Sequence, residues 1–275
     1  MIKDTKMLIL IFINDTKKTL GKILFPLCVI FLTHCSGLTV TQPLKKEDLV
    51  QRDNYQGLEF VPKLEKQLKI KQDIEVSVYL KKLADTLVSS TPELLKTPIG
   101  VILFQEKNHV WKNYSLPGNR VYLSLDLIKH LEFESELASA IAFELAHILN
   151  RHSIVLYEKN KKNLEENENG EFLDAQNKSI DFFSPHGIFA FSEENLLVST
   201  EVCIGVLYRS GFDPRGIGEF WKKHLTNLKY SPYDNDTLNK LIEHSRQNIA
   251  LYTPLRNPVV RSHKFISIQK KIQKL

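Results

Sequence analysis

The chain has 275 residues, 43% of them hydrophobic and 25% charged, an ordinary globular composition with room for one sizeable core. Its formal charge of +5 is concentrated at the start, where residues 1–34 hold five Lys against two Asp, leaving 32 basic and 30 acidic side chains elsewhere. So even a balance excludes nucleic-acid binding driven by bulk charge, and three cysteines exclude a disulfide framework.

Lys17, Lys18 and Lys22 precede the apolar run ILFPLCVIFL at 23–32, the arrangement of a secretory signal, and the run is too short to span a membrane. An earlier apolar patch at 7–13 leaves the translation start open. Leu32-Thr33-His34-Cys35 resembles a bacterial lipobox, in which the cysteine is diacylated and becomes the mature N-terminus. His34 departs from that pattern, where a small residue is usual. These features predict a signal peptide over 1–34, a lipidated Cys35, a polar tether over 35–57 and a folded domain over 58–275. They place the protein on the periplasmic side of a bacterial envelope, anchored to the membrane. Cys28 lies inside the apolar run, and Cys203 reads as a small buried hydrophobe.

Mixed apolar spacing over 73–89 predicts a helix centred on 79–88. The β-rich run 99–105 and the alternation of Val121, Leu123 and Leu125 predict two strands separated by the turn Leu116-Pro117-Gly118-Asn119. A long helix over 135–152 follows, with Glu134 and Glu136 at its start and Arg151 and His152 at its end, which suits the helix dipole. Between Leu137 and Leu149 its only polar residues are Ser139, Glu144 and His147, so most of its circumference must be covered by protein. Residues 158–181, dominated by Asn, Glu and Lys, predict a flexible surface insertion. The run FFSPHGIFAF at 182–191 reads either as a lip over a cleft or as a loop anchored to the core. Further helices are expected over 193–210, 214–228 with Asp213 as N-cap, 236–249 and 260–275. In the last, Phe265, Ile268 and Ile272 oppose a lysine face that fits docking on the domain better than membrane binding.

A helix with His at i and i+4 and Glu at i+1 is the metallopeptidase device: two imidazoles hold Zn²⁺ and the carboxylate activates its water. Here the stretch is Phe143-Glu144-Leu145-Ala146-His147, the motif without its first ligand. Residues 115–153, with the Leu116-Pro117-Gly118 turn, Glu136-Leu137-Ala138 and Arg151-His152 in order, resemble the zinc metallopeptidase family. That family includes HtpX, the type I CAAX prenyl protease and the periplasmic and β-barrel-assembly-enhancing proteases. The likeness extends over about 73–224, through the Gly211-Phe212-Asp213-Pro214 junction. It implies an α+β, mostly α, zincin-like domain with a small edge sheet over a long active-site helix. It also implies a polypeptide bound by strand addition along Leu116, Pro117, Gly118, Val121 and Leu123.

The resemblance implies a third ligand, a Glu opening a Glu-Ala-Asp triplet thirteen residues before Gly211; Val198-Ser199-Thr200 stands there. Phe143 and Val198 thus replace two of three ligands with side chains that cannot coordinate. Three expectations follow. In the first, the protein is a pseudoprotease without cofactor: Phe143 and Val198 fill the vacated cavity, Glu144 is a vestigial base paired with His147, and polypeptide clients or an active paralogous protease are the partners. In the second, it is an active zinc metalloendopeptidase rebuilt around His147 with Glu194, Glu201 or His186 as new ligands. In the third, it is a structural lipoprotein with a filled cleft.

Overall fold

The computed structural model describes residues 46–92, 98–106, 108–167 and 180–275. The signal segment, Cys35 and residues 168–179 of the polar insertion lie outside them. The described chain begins with helix α1 (Lys46–Glu65), so residues 46–57, expected as tether, are helical instead. Their ordering comes from tertiary contacts: Phe60 and Leu64 are fully buried, and Asp53 is ion-paired to Arg151. Tertiary anchoring of this kind overrides a weak local pattern.

Strand β1 (Lys69–Lys71) leads into α2 (Ile74–Ser89), whose N-cap Asp73 accepts a hydrogen bond from Val76 N at 2.9 Å. Strands β2 (Gly100–Gln105), β3 (Tyr114–Leu116) and β4 (Arg120–Ser124) complete a sheet of order β1-β2-β4-β3. The Leu-Pro-Gly turn was expected to separate the two long strands; it joins β3 to β4 as an antiparallel hairpin, whereas β2 and β4 run parallel. At three residues β3 is too short to show an alternation. Strand periodicity then divides the core. Leu103, Val121 and Leu123 face the main helical core, while Phe104, Tyr114, Leu116 and Tyr122 join a second cluster with Phe60, Leu64, Phe182 and Phe189.

After the short α3 (Leu125–Ile128) comes the long buried helix α4 (Glu134–Leu149). Its start is fixed by Glu136 Oε2, which accepts from Glu132 N and Phe133 N, and by Glu134, which accepts from Tyr79 Oη at 2.6 Å and Ser262 N at 2.7 Å. The predicted single helix to residue 152 is broken. Arg151 takes a left-handed φ of 56°, and His152 opens a new helix, α5 (His152–Asn167). That helix occupies 158–167, expected as flexible insertion; Glu and Lys are good helix formers.

Helices α6 (Glu193–Arg209), α7 (Arg215–Thr226), α8 (Asn235–Ile249) and α9 (His263–Ile272) fall where their patterns predict. Ser192 and Asn195 form a reciprocal cap at the start of α6. Asp213, expected as the N-cap of α7, lies one residue before it: Pro214 holds the N-cap position, and Asp213 accepts from Arg215 N at 2.9 Å; Gly211 supplies the positive φ after α6. Phe265, Ile268 and Ile272 of α9 are buried against the main core, as a docked helix requires. Cys203 is buried and free among the apolar residues of α6. The architecture is the α+β, mostly α arrangement expected, with α4 packed between the sheet and α6–α7. Among the described residues no helix is long and apolar enough to cross a membrane.

Candidate functional site

Helix α4 carries Glu144 and His147 into the core, where they are 4% and 1% exposed. The expected pairing between them is not formed. His147 Nδ1 lies 2.8 Å from His152 Nδ1, a distance at which one ring nitrogen donates and the other accepts. His147 Nε2 and Glu144 Oε2 are both buried without a partner. The break at Arg151 is what allows the His147–His152 pair, because it turns the chain so that the first residue of α5 comes back against the last turn of α4. Ser199 Oγ of α6 approaches the same His152 Nδ1 at 3.4 Å.

Burial sets the charge states. It holds His147 well below the usual imidazole value, with His152 and the Lys112 ammonium adding to the effect, and it lowers His152 to about 4. Both rings are therefore neutral at neutral pH. Burial raises the Glu144 carboxyl to about 7, opposed by the Ser115 hydroxyl and by Lys112. The Ser115 influence stops short of a formed bond, since Ser115 Oγ and Glu144 Oε2 each lack a partner at hydrogen-bonding distance.

Aromatic rings enclose the imidazole. Phe191, from the 182–191 run, stacks on His147 at 4.1 Å and 17°, and Phe143 meets it edge-on at 4.6 Å. Phe143 also packs on Trp221 of α7 at 4.9 Å. Lys112 Nζ donates to Phe189 O at 3.0 Å and ties the same run to the strand side of the site. The run is thus both core-anchored, through Phe182 and Phe189, and a lip over His147, through Phe191.

Comparison with known proteins places this geometry. Residues 77–164 match the peptidase family M48. The chain is related to the M48 peptidases. It is 27% identical over 168 residues to the β-barrel assembly-enhancing proteases of Escherichia coli O157:H7 and K12, covering 56% of this chain and 33% of theirs. The protein of that name from Yersinia pestis is 26% identical over 173 residues, 55% of this chain and 33% of that one. The match spans a third of the length of these relatives. The mostly α, zincin-like fold agrees with the M48 relationship.

A catalytic zinc, as the M48 likeness implies, does not fit the donor set. Such sites need three protein ligands, and the first position offers the Phe143 ring. Val198 is 40% exposed, so it does not fill a vacated metal cavity beside Phe143; the α6 side chain that reaches the histidines is Ser199. The rebuilt set also fails to converge. Glu194, Glu201 and His186 are exposed, and among the described residues no three His, Cys, Asp or Glu side chains gather where a metal could be held.

The expected peptide edge needs correction as well. Val121 and Leu123 are fully buried in β4, an interior strand. The outer strand is β3, and it is covered: Ser153 Oγ donates to Ser115 O at 3.2 Å. Gly57 of α1 lies so close to the turn that a Cβ there would sit 2.1 Å from Pro117 O. Sequence reasoning missed Lys112 and did not single out His152 or Phe191. The last two left signals, His152 in the Arg-His pair that ends the family motif and Phe191 in the run read as a lip over a cleft.

Proposed function

We propose that this protein is a zinc-deficient pseudoprotease of the bacterial cell envelope, which holds polypeptide clients without cutting them. The observation that carries the reading is Phe143, whose ring stands where the M48 pattern has its first ligand and is locked between His147 and Trp221. A side chain so packed is part of the core and cannot be exchanged for a ligand by local motion. The envelope location rests on the lipobox-like Cys35 and on relatives named for β-barrel assembly. Clients are extended polypeptides that take the outer edge of β3 when α1 moves aside and a client N–H replaces the Ser153 hydroxyl on Ser115 O, and in doing so the protein competes with an active paralogous protease.

The test is elemental analysis of purified protein never exposed to added zinc, beside a His147→Ala variant, with an unfolded β-barrel protein offered as client. Capture without cleavage and without stoichiometric metal is expected. Cleavage that disappears with a chelator, or one zinc per chain lost in the variant, overturns the reading.

A further inference from the structure

Helix α1 buries one side against the domain and keeps apolar residues on the other. Asp53, Gly57, Phe60 and Leu64 are the buried positions. At 3.6 residues per turn, Tyr55, Leu58 and Pro62 fall within an arc of about 60° on the far side, where a helix lying on a domain normally carries its most polar residues. Tyr55 is 69% and Leu58 67% exposed, and Pro62 is exposed with them. The end of this helix and the strand after it add Lys63, Lys66 and Lys69, all exposed and none ion-paired among the described residues. Glu59 is the exposed acid beside them, and Arg52 is paired with Glu158. An apolar stripe that includes a tyrosine and has a lysine border suits a lipid interface, the apolar residues entering it and the lysines meeting anionic headgroups.

We propose that this outer face of α1 is a docking face for an anionic lipid bilayer. Chain connectivity brings such a surface within reach. Residues 36–45 separate Cys35 from α1, a link that spans at most about 40 Å when fully extended. A Cys35 held in a bilayer keeps α1 close to it at an effective concentration in the millimolar range, so weak contact of this face is enough. The inference rests on the envelope reading and adds an orientation to it: the β3 edge beneath α1 lies next to the bilayer. Helix α2 supplies a control on the opposite side of the sheet. Its Val76, Leu80 and Leu83 share the main core with Leu103 and Val121, whereas Phe60 and Leu64 of α1 share the second cluster with Phe104 and Tyr122. Val78 of α2, 56% exposed, therefore faces away from the docking surface.

The experiment uses the full chain, purified from bacterial membranes and reconstituted in vesicles of phosphatidylethanolamine and phosphatidylglycerol. An environment-sensitive fluorophore is attached at Gln51→Cys, on the exposed side of α1, or at Val78→Cys; the buried Cys203 takes no label. Nitroxide lipids labelled near the headgroup should quench the Gln51→Cys probe about twofold more than the Val78→Cys probe, and more than nitroxides at the chain ends do. Tyr55→Ser combined with Leu58→Ser should remove that difference. Replacing Lys63, Lys66 and Lys69 with Gln should lower the docked-to-free ratio by about fivefold for each lysine, and vesicles of phosphatidylcholine alone should lower it likewise. Equal quenching at the two positions, or a Gln51→Cys probe that lipid nitroxides do not reach, overturns the proposal. Shielding of that probe that grows only with protein concentration assigns the face to a second copy and overturns the lipid assignment. Mass spectrometry of the N-terminal peptide on the same sample separates the failures. An acylated Cys35 beside an unquenched Gln51→Cys probe sinks this inference alone, whereas an unmodified Cys35 on a chain that does not sediment with vesicles removes the anchoring beneath it.

Discussion

Replacing Glu144 with Gln is expected to stabilise the protein in alkali and to change little in acid. The Glu144 carboxyl titrates at about 7 when folded against 4.5 as the reference value. Between those values the native state keeps a proton that the unfolded chain has released. A raised carboxylate pKa therefore contributes stability that is fully present below pH 4.5 and is lost as pH rises through 7. At about 1.4 kcal/mol per pH unit, the total loss is about 3 kcal/mol. Gln has nearly the shape of the protonated acid and is neutral throughout, so it removes this slope. Urea denaturation of both proteins should show nearly equal stability at about pH 4 and a variant ahead by about 3 kcal/mol at about pH 8. The same difference at both pH values would refute the claim that desolvation governs Glu144. A variant less stable at pH 8 would mean that the ionised carboxylate has a partner worth more than its burial costs.

Phe143→Ala, which empties the space between His147 and Trp221, should cost about 3–5 kcal/mol in the same assay; a cost below about 1 kcal/mol would show the ring to be loosely held. Asp53→Asn removes a partly buried bidentate partner of Arg151 and should cost about 2 kcal/mol, read as a drop in denaturation midpoint. Gly57→Ala drives a Cβ into the Pro117 carbonyl, so it should speed amide exchange in α1 and increase client capture; slower exchange would mean that α1 accommodates the methyl. His147 and His152 should keep neutral-imidazole NMR shifts at about pH 5.5, because burial lowers both; a protonated ring there would contradict the packing.

The helices beyond residue 190 were legible from their apolar spacing and from the Gly211-Phe212-Asp213-Pro214 junction, whereas the caps at Ser192 and Asp234 went unread and the one expected at Asp213 falls on Pro214. That Phe143 stands at the spacing of the motif's first His was legible too, because a motif fixes spacing as well as residue type. What the sequence hid is non-local. Nothing near residue 50 announces that Asp53 meets Arg151, so a helix looked like a tether. Nothing near 110 announces that Lys112 meets the carbonyl of Phe189. Val198 shows the limit of motif arithmetic: counting from Gly211 names the position but not whether its side chain turns inward, and it is substantially exposed.

The helix α1 has a consequence for the order in which the chain assembles. Its partners are remote in sequence: Arg151 is 98 residues from Asp53, and Glu158 is 106 residues from Arg52. A chain delivered N-terminus first, whether from a ribosome or through a membrane pore, presents α1 long before either partner has emerged. Loop closure over such spans is slow. The nascent protein therefore passes through an interval in which β3 can form with its outer edge uncovered, and the last step of maturation is the return of α1.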